Sequence, residues 1–406
     1  MPPPVPLADR SGGLGGRLLD GWREWRNRLV ASPRFQRFAA DTPLVRAVAA
    51  HHASSLFDVC AGFVYSQVLL AAVRLDLFDI LAEGPLPLPD LAARLRLPLD
   101  GARRLAEASV ALGLLEQRSG GRYGLGLQGA ALRGNPGLLA MIDHHALVYA
   151  DLADPVALLQ GRRGPTGLGR FWPYATAEGG DAVAAENGGE GAPEPPAAVE
   201  ARQGEPGSSE AYSRLMSATQ GFVRDDILDA YDFGRHRTVM DVGGGDGTFL
   251  TSVAARHPDL NLRLFDLPPV AALAARRFEV LPAPQPTAIA GDFRRDPLPA
   301  GADLITFVRI LHDHDDATVR LVLQKAHAAL AVGGRVLIAE PMADSGGNPR
   351  VGGAYFNFYL LAMGHGRPRT PQALTTLLRD ANLSNPRRLK TRRPMLVSAL
   401  VAERVS

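Results

Sequence analysis

Residues 238–247 read TVMDVGGGDG, and this stretch decides the fold. An apolar, strand-like run ends at Asp241 and is followed by glycines that open a predicted helix. Gly243 and Gly245 allow a tight turn and let the backbone approach a ligand closely. A dinucleotide-binding loop has the pattern G-x-G-x-x-G, but counted from Gly243 the third glycine falls on Thr248. Because the carboxylate of Asp241 suits an ammonium group better than a pyrophosphate, we predict a Rossmann-like site whose ligand is not a dinucleotide.

Two more acidic residues follow at the ends of the next two predicted strands. Asp266 ends the second strand in the sequence FDLP, where a carboxylate can hold both hydroxyl groups of a ribose. Asp292 ends the third strand in GDF, and Phe293 beside it can face an adenine ring. A glycine loop alone is weak evidence. A loop with two acidic strand ends in order favours a nucleoside ligand over an ordinary turn with unrelated carboxylates.

Strands and helices alternate from Arg237 to the end of the chain. The strand-like runs are TVMDV, LRLFDL, PTAIAGD, DLITFVRIL, GRVLIAEP and MLVSALVAE. This alternation predicts a parallel sheet covered by helices, so we assign residues 237–406 to a Rossmann-like α/β domain.

The chain before this domain is predicted to be mainly helical. We divide it into an N-terminal extension (1–50), a winged-helix-like domain (51–135) and a helical connector (136–236). The winged-helix-like part has the order helix, turn, helix, hairpin, with Gly120 and Gly121 at the hairpin tip. Residues 178–207 in the connector are rich in Gly, Pro and Glu with almost no large apolar side chain, so we predict a disordered insertion there.

Composition excludes several classes of protein. The 406 residues carry 44 Lys and Arg against 42 Asp and Glu, which gives no overall basic charge for nucleic acid. Cys60 is the only cysteine, so we expect no disulfide framework and no thiolate metal cluster. The first residues lack the apolar core of a signal peptide, and no run approaches roughly 18 uncharged apolar residues. We therefore expect a cytoplasmic protein without a membrane-spanning helix.

The sequence LHDHDD (311–316) follows a predicted strand, at the end where open α/β sheets bind ligands. As a general base, His312 has an ordinary pKa near ~6.5, suited to taking a proton at neutral pH. As a metal site, the segment needs further ligands that no other segment offers at metal-ligand spacing. As a cap, its aspartates satisfy the first turn of a helix over 315–331. We favour the base for His312 and caps for Asp315 and Asp316, and we predict no metal.

These motifs together resemble a known family. The series DVGGGDG, FDLP, GDF, RILHDHDD, VLIAEP and GRPRT resembles the plant-type class of small-molecule O-methyltransferases, and the winged-helix-like region matches it too. The resemblance implies S-adenosylmethionine as the cofactor and a homodimer built through the winged-helix-like domain. By this resemblance the cofactor-binding positions are Gly243, Asp266, Leu267, Asp292, Phe293 and Arg309, and the glycine loop adds Asp241 and Gly245.

The same resemblance assigns the catalytic groups. His312 lies at the position of the catalytic base. Glu340 lies where phenol-methylating relatives have a glutamate that helps to hold that histidine. A second such glutamate would fall at position 368, where this chain has Pro368, and His314 replaces a Trp that is usual in the family. The analogy with phenol methylation is therefore incomplete.

The N-terminal half is similar to the carotenoid branch of this family. The matching strings are SPRFQRF, LFDVCAGFVYSQVLLAAVRLDLFD, LVYADLADPVALL and FWPYA. Those bacterial enzymes methylate the tertiary 1-hydroxyl of acyclic carotenoids such as hydroxyneurosporene and demethylspheroidene, and the apolar stretch 353–367 would line part of the pocket. The nearest alternative is an O-methyltransferase of a phenolic or polyketide molecule. A winged-helix DNA-binding regulator is disfavoured, because its recognition helix, 99–113, lacks a basic face.

The segment 17–46 combines an excess of Arg with Trp22, Trp25, Phe35 and Phe38. Two interpretations are open. The segment is either a helix packed on the dimer, or a peripheral contact with the anionic inner surface of the membrane in which a carotenoid dissolves.

Overall fold

The computed structural model describes residues 14–162, 164–171, 215–217, 219–221, 223–344, 346 and 348–405. The predicted insertion, 178–207, lies outside the described residues, so its disorder stays a prediction.

Two helices form an N-terminal arm, α1 (Leu14–Ala31) and α2 (Pro33–Asp41), and a long helix, α3 (Pro43–Arg74), follows them. Each break falls before a proline, because Pro33 and Pro43 lie in the first turn of the next helix, where an N–H is not needed. The arm presents Trp22 and Trp25 to solvent, 54% and 59% exposed. The arm is therefore helical as predicted, with both tryptophans facing outward.

The next elements form the predicted winged-helix-like domain. They are α4 (Leu77–Ala82), β1 (Leu86–Pro87), α5 (Leu88–Leu95), α6 (Leu99–Ala111), β2 (Leu115–Arg118), β3 (Arg122–Leu125) and α7 (Leu127–Arg133). Strands β2 and β3 pair antiparallel, which confirms the hairpin. At its tip Gly120 and Gly121 have φ angles of 72° and 68°, in the region that glycine tolerates best. The connector then begins with α8 (Pro136–Asp151), α9 (Pro155–Leu159) and α10 (Gly167–Phe171).

The last part of the chain is a Rossmann-like domain. Its helices are α11 (Arg224–Ala230), α12 (Thr248–Arg256), α13 (Pro268–Phe278), α14 (Asp316–Ala329), α15 (Phe356–Met363) and α16 (Pro371–Asp380). Its strands are β4 (Thr238–Val242), β5 (Asn261–Asp266), β6 (Thr287–Ala290), β7 (Ala302–Val308), β8 (Leu330–Glu340), β9 (Leu383–Leu389) and β10 (Ser398–Arg404).

The seven strands have the order β6-β5-β4-β7-β8-β10-β9. Strands β4 to β8 are parallel, as predicted, but β10 runs antiparallel to both β8 and β9. The predicted parallel sheet is thus confirmed for β4 to β8, and the alternation of strands and helices did not reveal the antiparallel edge formed by β10. It also missed β9, whose sequence LSNPRRL is polar and contains Pro386, features that suit an edge strand but not an interior one.

Apolar side chains cover both faces of this sheet. Along β4, Met240 and Val242 belong to one buried cluster and Val239 to another, because neighbouring residues of a strand point to opposite faces. With both faces covered, a ligand reaches the sheet at its carboxyl edge, where the central strands β4 and β7 end.

Helix α3 is unusually exposed for its composition. By length and composition alone its segment Val45–Arg74 could cross a membrane, and most of it lies on the surface. The expectation that no helix spans a membrane stays a prediction, because α3 passes this test by length and composition alone. The exposed apolar side chains include Leu56, Phe57, Val59, Phe63 and Val64.

Candidate active site

The glycine loop between β4 and α12 is shaped by positive φ angles at Gly243 (71°), Gly245 (62°) and Gly247 (80°). A Cβ atom at Gly243 would come within 2.4 Å of Ile310, and one at Gly247 within 2.5 Å of Phe278. At Gly245 no described atom lies within 4 Å in that direction. The loop is therefore packed against other residues at both ends and is open at Gly245. A ligand can approach the backbone closely there.

Asp266, at the end of β5, fixes this loop. One carboxylate oxygen accepts a hydrogen bond from the Gly245 amide at 2.8 Å, and the other accepts one from the Leu267 amide at 2.7 Å. A carboxylate has about four acceptor positions. Asp266 can therefore hold the loop and still bind ligand hydroxyls, and the ribose contact stays a prediction.

Asp241, at the end of β4, is almost fully buried. Its Oδ1 accepts from the Thr306 hydroxyl at 2.5 Å, while its Oδ2 has no hydrogen-bond partner among the described residues. Burial raises the pKa of Asp241 to about 7 despite the bond from Thr306, and the negative charge of Asp266 adds to the shift. A buried, unsatisfied carboxylate oxygen costs free energy that an ammonium group can offset.

The end of β6 is arranged differently from the sequence expectation. The Arg294 guanidinium donates to both oxygens of Asp292, at 3.0 and 2.9 Å. Burial acts to raise the pKa of Asp292, but the hydrogen bonds and charge of Arg294 outweigh it and hold the pKa below its usual range. Phe293 is fully buried, with its ring edge-on to His314 at 5.2 Å between centroids. The adenine contact of Phe293 stays a prediction, and Leu267 is one of the partly exposed apolar residues at this edge.

Arg309 follows β7 with a left-handed φ of 60°. Its guanidinium donates to the Thr219 hydroxyl at 2.9 Å and to the Met216 sulfur at 2.7 Å. A second hydrogen bond, of 2.5 Å, joins the hydroxyls of Ser217 and Thr248, the first residue of α12 after the glycine loop. The connector just before α11 thus lies against the end of the glycine loop, a placement that could not be predicted because this short segment carries no recognisable motif.

His312 lies in the short turn that follows β7 and is 5% exposed. Its Nε2 is 3.2 Å from a carboxylate oxygen of Asp313, and its Nδ1 has no partner among the described residues. Burial, together with the charges of Arg309 and Arg369, lowers the pKa of His312 to about 3. The imidazole is therefore neutral at physiological pH, the form that accepts a proton.

Glu340 is fully buried at the end of β8. One of its oxygens accepts from the backbone N–H of His312 at 3.0 Å, and the other has no partner in the described part of the chain. Burial raises the pKa of Glu340 to about 7. The expectation that Glu340 holds the imidazole itself is corrected here: it holds the backbone of the turn, and Asp313 is the carboxylate beside the ring.

Arg369, from the GRPRT motif, was not singled out from the sequence. It is 2% exposed and donates to the carbonyl oxygens of Leu311 and His314, each at 2.7 Å. It also donates to the Asp316 carboxylate at 2.9 and 2.7 Å. Arg369 therefore clamps the turn that carries His312. The signal for it was present, because an arginine in a motif of this family and a nearby acidic turn are natural ion-pair partners.

The other residues of the LHDHDD segment support the turn. Asp315 caps α14 by accepting from the Thr318 amide at 2.7 Å, as predicted. His314 is buried against Phe293. Within the described ranges, no group of three or more His, Cys, Asp or Glu side chains could hold a metal ion.

A cavity opens beside His312, between the ends of β7 and β8 and the helices α8 and α15. Most of its lining is apolar: Met141, Leu215, Met216, Val223, Pro341, Phe356, Leu360, Met363 and Leu396. Its polar side chains are His144, Thr219, Arg309, His312, Asp313, Tyr355 and Tyr359. A neutral imidazole at such a cavity can take a proton from a hydroxyl group of an otherwise apolar molecule.

The sequence profile of the O-methyltransferase domain matches residues 183–384, and that of the O-methyltransferase dimerisation domain matches residues 57–132. The chain is 40% identical over 380 residues to demethylspheroidene O-methyltransferase of Cereibacter sphaeroides, covering 93% of this chain and 94% of that one. It is 41% identical to the enzyme of the same name from Rhodobacter capsulatus, covering 93% and 88%. The chain belongs to the O-methyltransferase family.

Solved structures agree with this assignment. The S-adenosylmethionine-dependent methyltransferase SibL superimposes with a TM-score of 0.67 at 26% identity, covering 87% of this chain and 99% of that one. CalO1, a methyltransferase of calicheamicin biosynthesis, gives 0.67 at 26% identity, covering 87% and 98%. The protein is thus an S-adenosylmethionine-dependent O-methyltransferase with an N-terminal dimerisation domain. The dimerisation-domain match indicates a homodimer.

The residues at the carboxyl edge fit this cofactor. The bare centre of the loop at Gly245 can take its backbone contact, and Asp266 retains acceptor capacity for ribose hydroxyls. The unsatisfied oxygen of Asp241 suits the ammonium of its amino-acid portion. When bound, the cofactor supplies a methyl group made electrophilic by a sulfonium.

Proposed function

We propose that this enzyme methylates the tertiary 1-hydroxyl group of acyclic hydroxycarotenoids in carotenoid biosynthesis. The observation that supports this proposal most directly is the 40% identity, over nearly the whole chain, to an enzyme named for demethylspheroidene. The cavity supports the proposal, because its apolar walls suit a polyene and its polar groups lie beside His312. Similarity to enzymes that act on phenolic and polyketide molecules is lower, at 31% for the naphthoate enzyme of Streptomyces sahachiroi.

In the proposed reaction His312 is the general base. Its depressed pKa keeps the imidazole neutral, so it is ready to accept a proton. A tertiary aliphatic alcohol is far less acidic than an imidazolium, so His312 cannot ionise it beforehand and takes the proton as the oxygen becomes methylated. Asp313 beside Nε2 stabilises the imidazolium, while Glu340 and Arg369 hold the turn in place. Positioning of the hydroxyl supplies much of the remaining rate.

The test is incubation with labelled S-adenosylmethionine and a panel of acceptors: 1-hydroxyneurosporene, demethylspheroidene, a simple phenol and a flavonoid. We expect label to enter the two carotenoids and not the phenols. Faster labelling of either phenolic acceptor would contradict the proposal and favour the phenol-methylating alternative.

We also propose that the N-terminal arm contacts an anionic membrane surface on the cytoplasmic side, where the substrate dissolves. Trp22 and Trp25 are more than half exposed, and the Arg26 guanidinium lies 5.2 Å from the Trp22 ring. Exposed indoles beside Arg residues are typical of helices that lie in a membrane interface.

Flotation with liposomes containing anionic lipid tests the arm. The double variant Trp22→Ser/Trp25→Ser should float far less than the wild type, while Val332→Ser, which removes an exposed apolar residue of the other domain, should float like the wild type. Equal flotation of all three proteins would refute a membrane role for the arm.

A further inference from the structure

Two His–Tyr pairs join α8 to the region of α15. The Nε2 atom of His144 is 3.0 Å from the Tyr359 hydroxyl, and the Nε2 atom of His145 is 2.7 Å from the Tyr355 hydroxyl. Neither pair is part of the turn that carries His312. Because both pairs bridge from the connector to the Rossmann-like domain, the sequence gives no direct sign of them.

The two pairs differ in their relation to the cavity. His144 and Tyr359 both line it, together with His312 and Asp313. Of the second pair, Tyr355 lines the cavity and His145 does not. Both members of the His144–Tyr359 hydrogen bond thus line the mainly apolar cavity.

Both members of this pair are neutral at physiological pH. Burial, with the neighbouring His145, lowers the pKa of His144 to about 4. Burial raises the pKa of the Tyr359 phenol, and Tyr355 and the negative charge of Asp313 add to the effect. Asp313, the carboxylate beside His312, lines the same cavity as Tyr359.

A phenol hydroxyl has one donor and can accept further hydrogen bonds. The bond to His144 uses part of this capacity. If His144 carries its proton on Nε2, it donates to Tyr359, and the phenol hydrogen is available to a ligand. In the other tautomer the phenol donates to His144 and can accept from a ligand. Either way Tyr359 offers one directed hydrogen bond into the cavity.

We propose that Tyr359, held by His144, binds the substrate hydroxyl beside His312 and so selects the hydroxylated end of the substrate. This inference rests on the proposed function. Tyr359 contacts the hydroxyl oxygen, and His144 acts through Tyr359 as a positioning residue. The apolar lining by itself cannot tell an alcohol from the parent hydrocarbon, because both present the same polyene. A hydrogen-bonding group at the reacting end supplies that distinction.

The experiment measures kcat and KM for 1-hydroxyneurosporene and the inhibition constant Ki of neurosporene, which lacks the hydroxyl. In Tyr359→Phe we expect kcat/KM to fall by about tenfold, through both a higher KM and a lower kcat, which is the scale of one lost hydrogen bond. The Ki of neurosporene should stay within about twofold, because the apolar walls are unchanged. General damage to the pocket would instead raise KM and Ki together.

His144 variants test the positioning role. His144→Leu should reproduce the kinetic pattern of Tyr359→Phe. His144→Gln, whose amide can still bond the phenol, should recover part of the activity. The matched control is Tyr231→Phe, which removes the 2.8 Å bond between Tyr231 and His236, a His–Tyr pair outside the cavity. That variant should keep wild-type kinetics.

The outcomes separate the two proposals. If the wild type fails to methylate 1-hydroxyneurosporene but methylates a phenol, the proposed function fails. If the wild type methylates it and Tyr359→Phe keeps wild-type kcat and KM, the proposed function stands and the role of Tyr359 is refuted. A parallel rise of KM and Ki in Tyr359→Phe also overturns hydroxyl selection.

Discussion

The Rossmann-like domain and the N-terminal helices depart from ordinary burial in opposite directions. At the carboxyl edge of the sheet, Asp241, His312 and Glu340 are buried with polar atoms that lack partners among the described residues. On α3, large apolar side chains such as Phe57 and Phe63 are 64% and 72% exposed. Each arrangement costs free energy in an isolated chain. We therefore expect a binding partner for each region: the cofactor and substrate for the first, and a second protein surface for the other.

The comparison separates two kinds of incompleteness. The interior region lacks hydrogen-bond partners and compensating charge, so a small polar ligand can supply both through directed, selective contacts. The exterior region exposes apolar side chains, so a large apolar surface can cover it, and this burial does not depend on precise geometry. Substitutions in the first should therefore alter chemistry and ligand affinity. Substitutions in the second should alter assembly.

The largest expected effect is at the base. His312→Ala should lower turnover on a hydroxycarotenoid by about 10²–10⁴-fold, the usual contribution of a general base. Affinity for S-adenosylmethionine, measured by calorimetry, should be unchanged. His314→Ala should cost much less, because His314 packs against Phe293. Retention of more than a tenth of wild-type turnover by His312→Ala would end the base assignment.

Glu340 should make stability depend on pH. Its pKa in the fold is about 7, above the ordinary 4.5, so the native state holds a proton that the unfolded chain releases. The contribution of protonated Glu340 to the free energy of unfolding is fully present below pH 4.5, and it is lost as the pH rises through 7. The wild type should lose this stability on going from pH 5 to pH 8, whereas Glu340→Gln should not. The difference in unfolding free energy between the two proteins should therefore change by about 2–3 kcal/mol in favour of Glu340→Gln.

Chemical denaturation of the cofactor-free enzyme at the two pH values measures this gain. The half-exposed Glu116 provides the control, since Glu116→Gln should show no such change. A parallel pH profile for Glu340→Gln and wild type would mean that Glu340 is already ionised in the fold.

Asp266→Ala should weaken cofactor binding by tens-fold, because it removes acceptors for the cofactor and for the Gly245 and Leu267 amides. The fold should survive, as judged by circular dichroism. Asp259→Ala, at an exposed position before β5, should bind the cofactor like wild type. Equal affinity of all three proteins in titration calorimetry would remove Asp266 from the site.

The smallest change tests the exterior. Phe63→Ser on α3 should raise the dimer dissociation constant at least about tenfold, since burying a phenylalanine contributes about 1.5–3 kcal/mol. Sedimentation at several concentrations measures it. Val332→Ser serves as the control, because Val332 is 70% exposed in the Rossmann-like domain. An unchanged dimer in Phe63→Ser would place the partner elsewhere, and a monomeric, fully active wild type would contradict the dimer itself.

Local rules in the sequence determined most of the architecture. The alternation of strands and helices, the glycine loop after β4, the hairpin at Gly120 and the cap at Asp315 all follow from residues a few positions apart. Such features depend on backbone preference and side-chain period, which act over one or two turns. The acidic strand ends could also be placed at one edge, because parallel strands end together.

Only the tertiary structure decided which atoms meet. Glu340 reaches a backbone amide and not the ring of His312, Arg369 clamps the turn from a distant loop, and Tyr359 pairs with a histidine of α8. These partners are far apart in the chain, and their contacts depend on how whole elements pack. Burial then sets the protonation of His312 and Glu340, because removal from water disfavours the charged form wherever the chain places it.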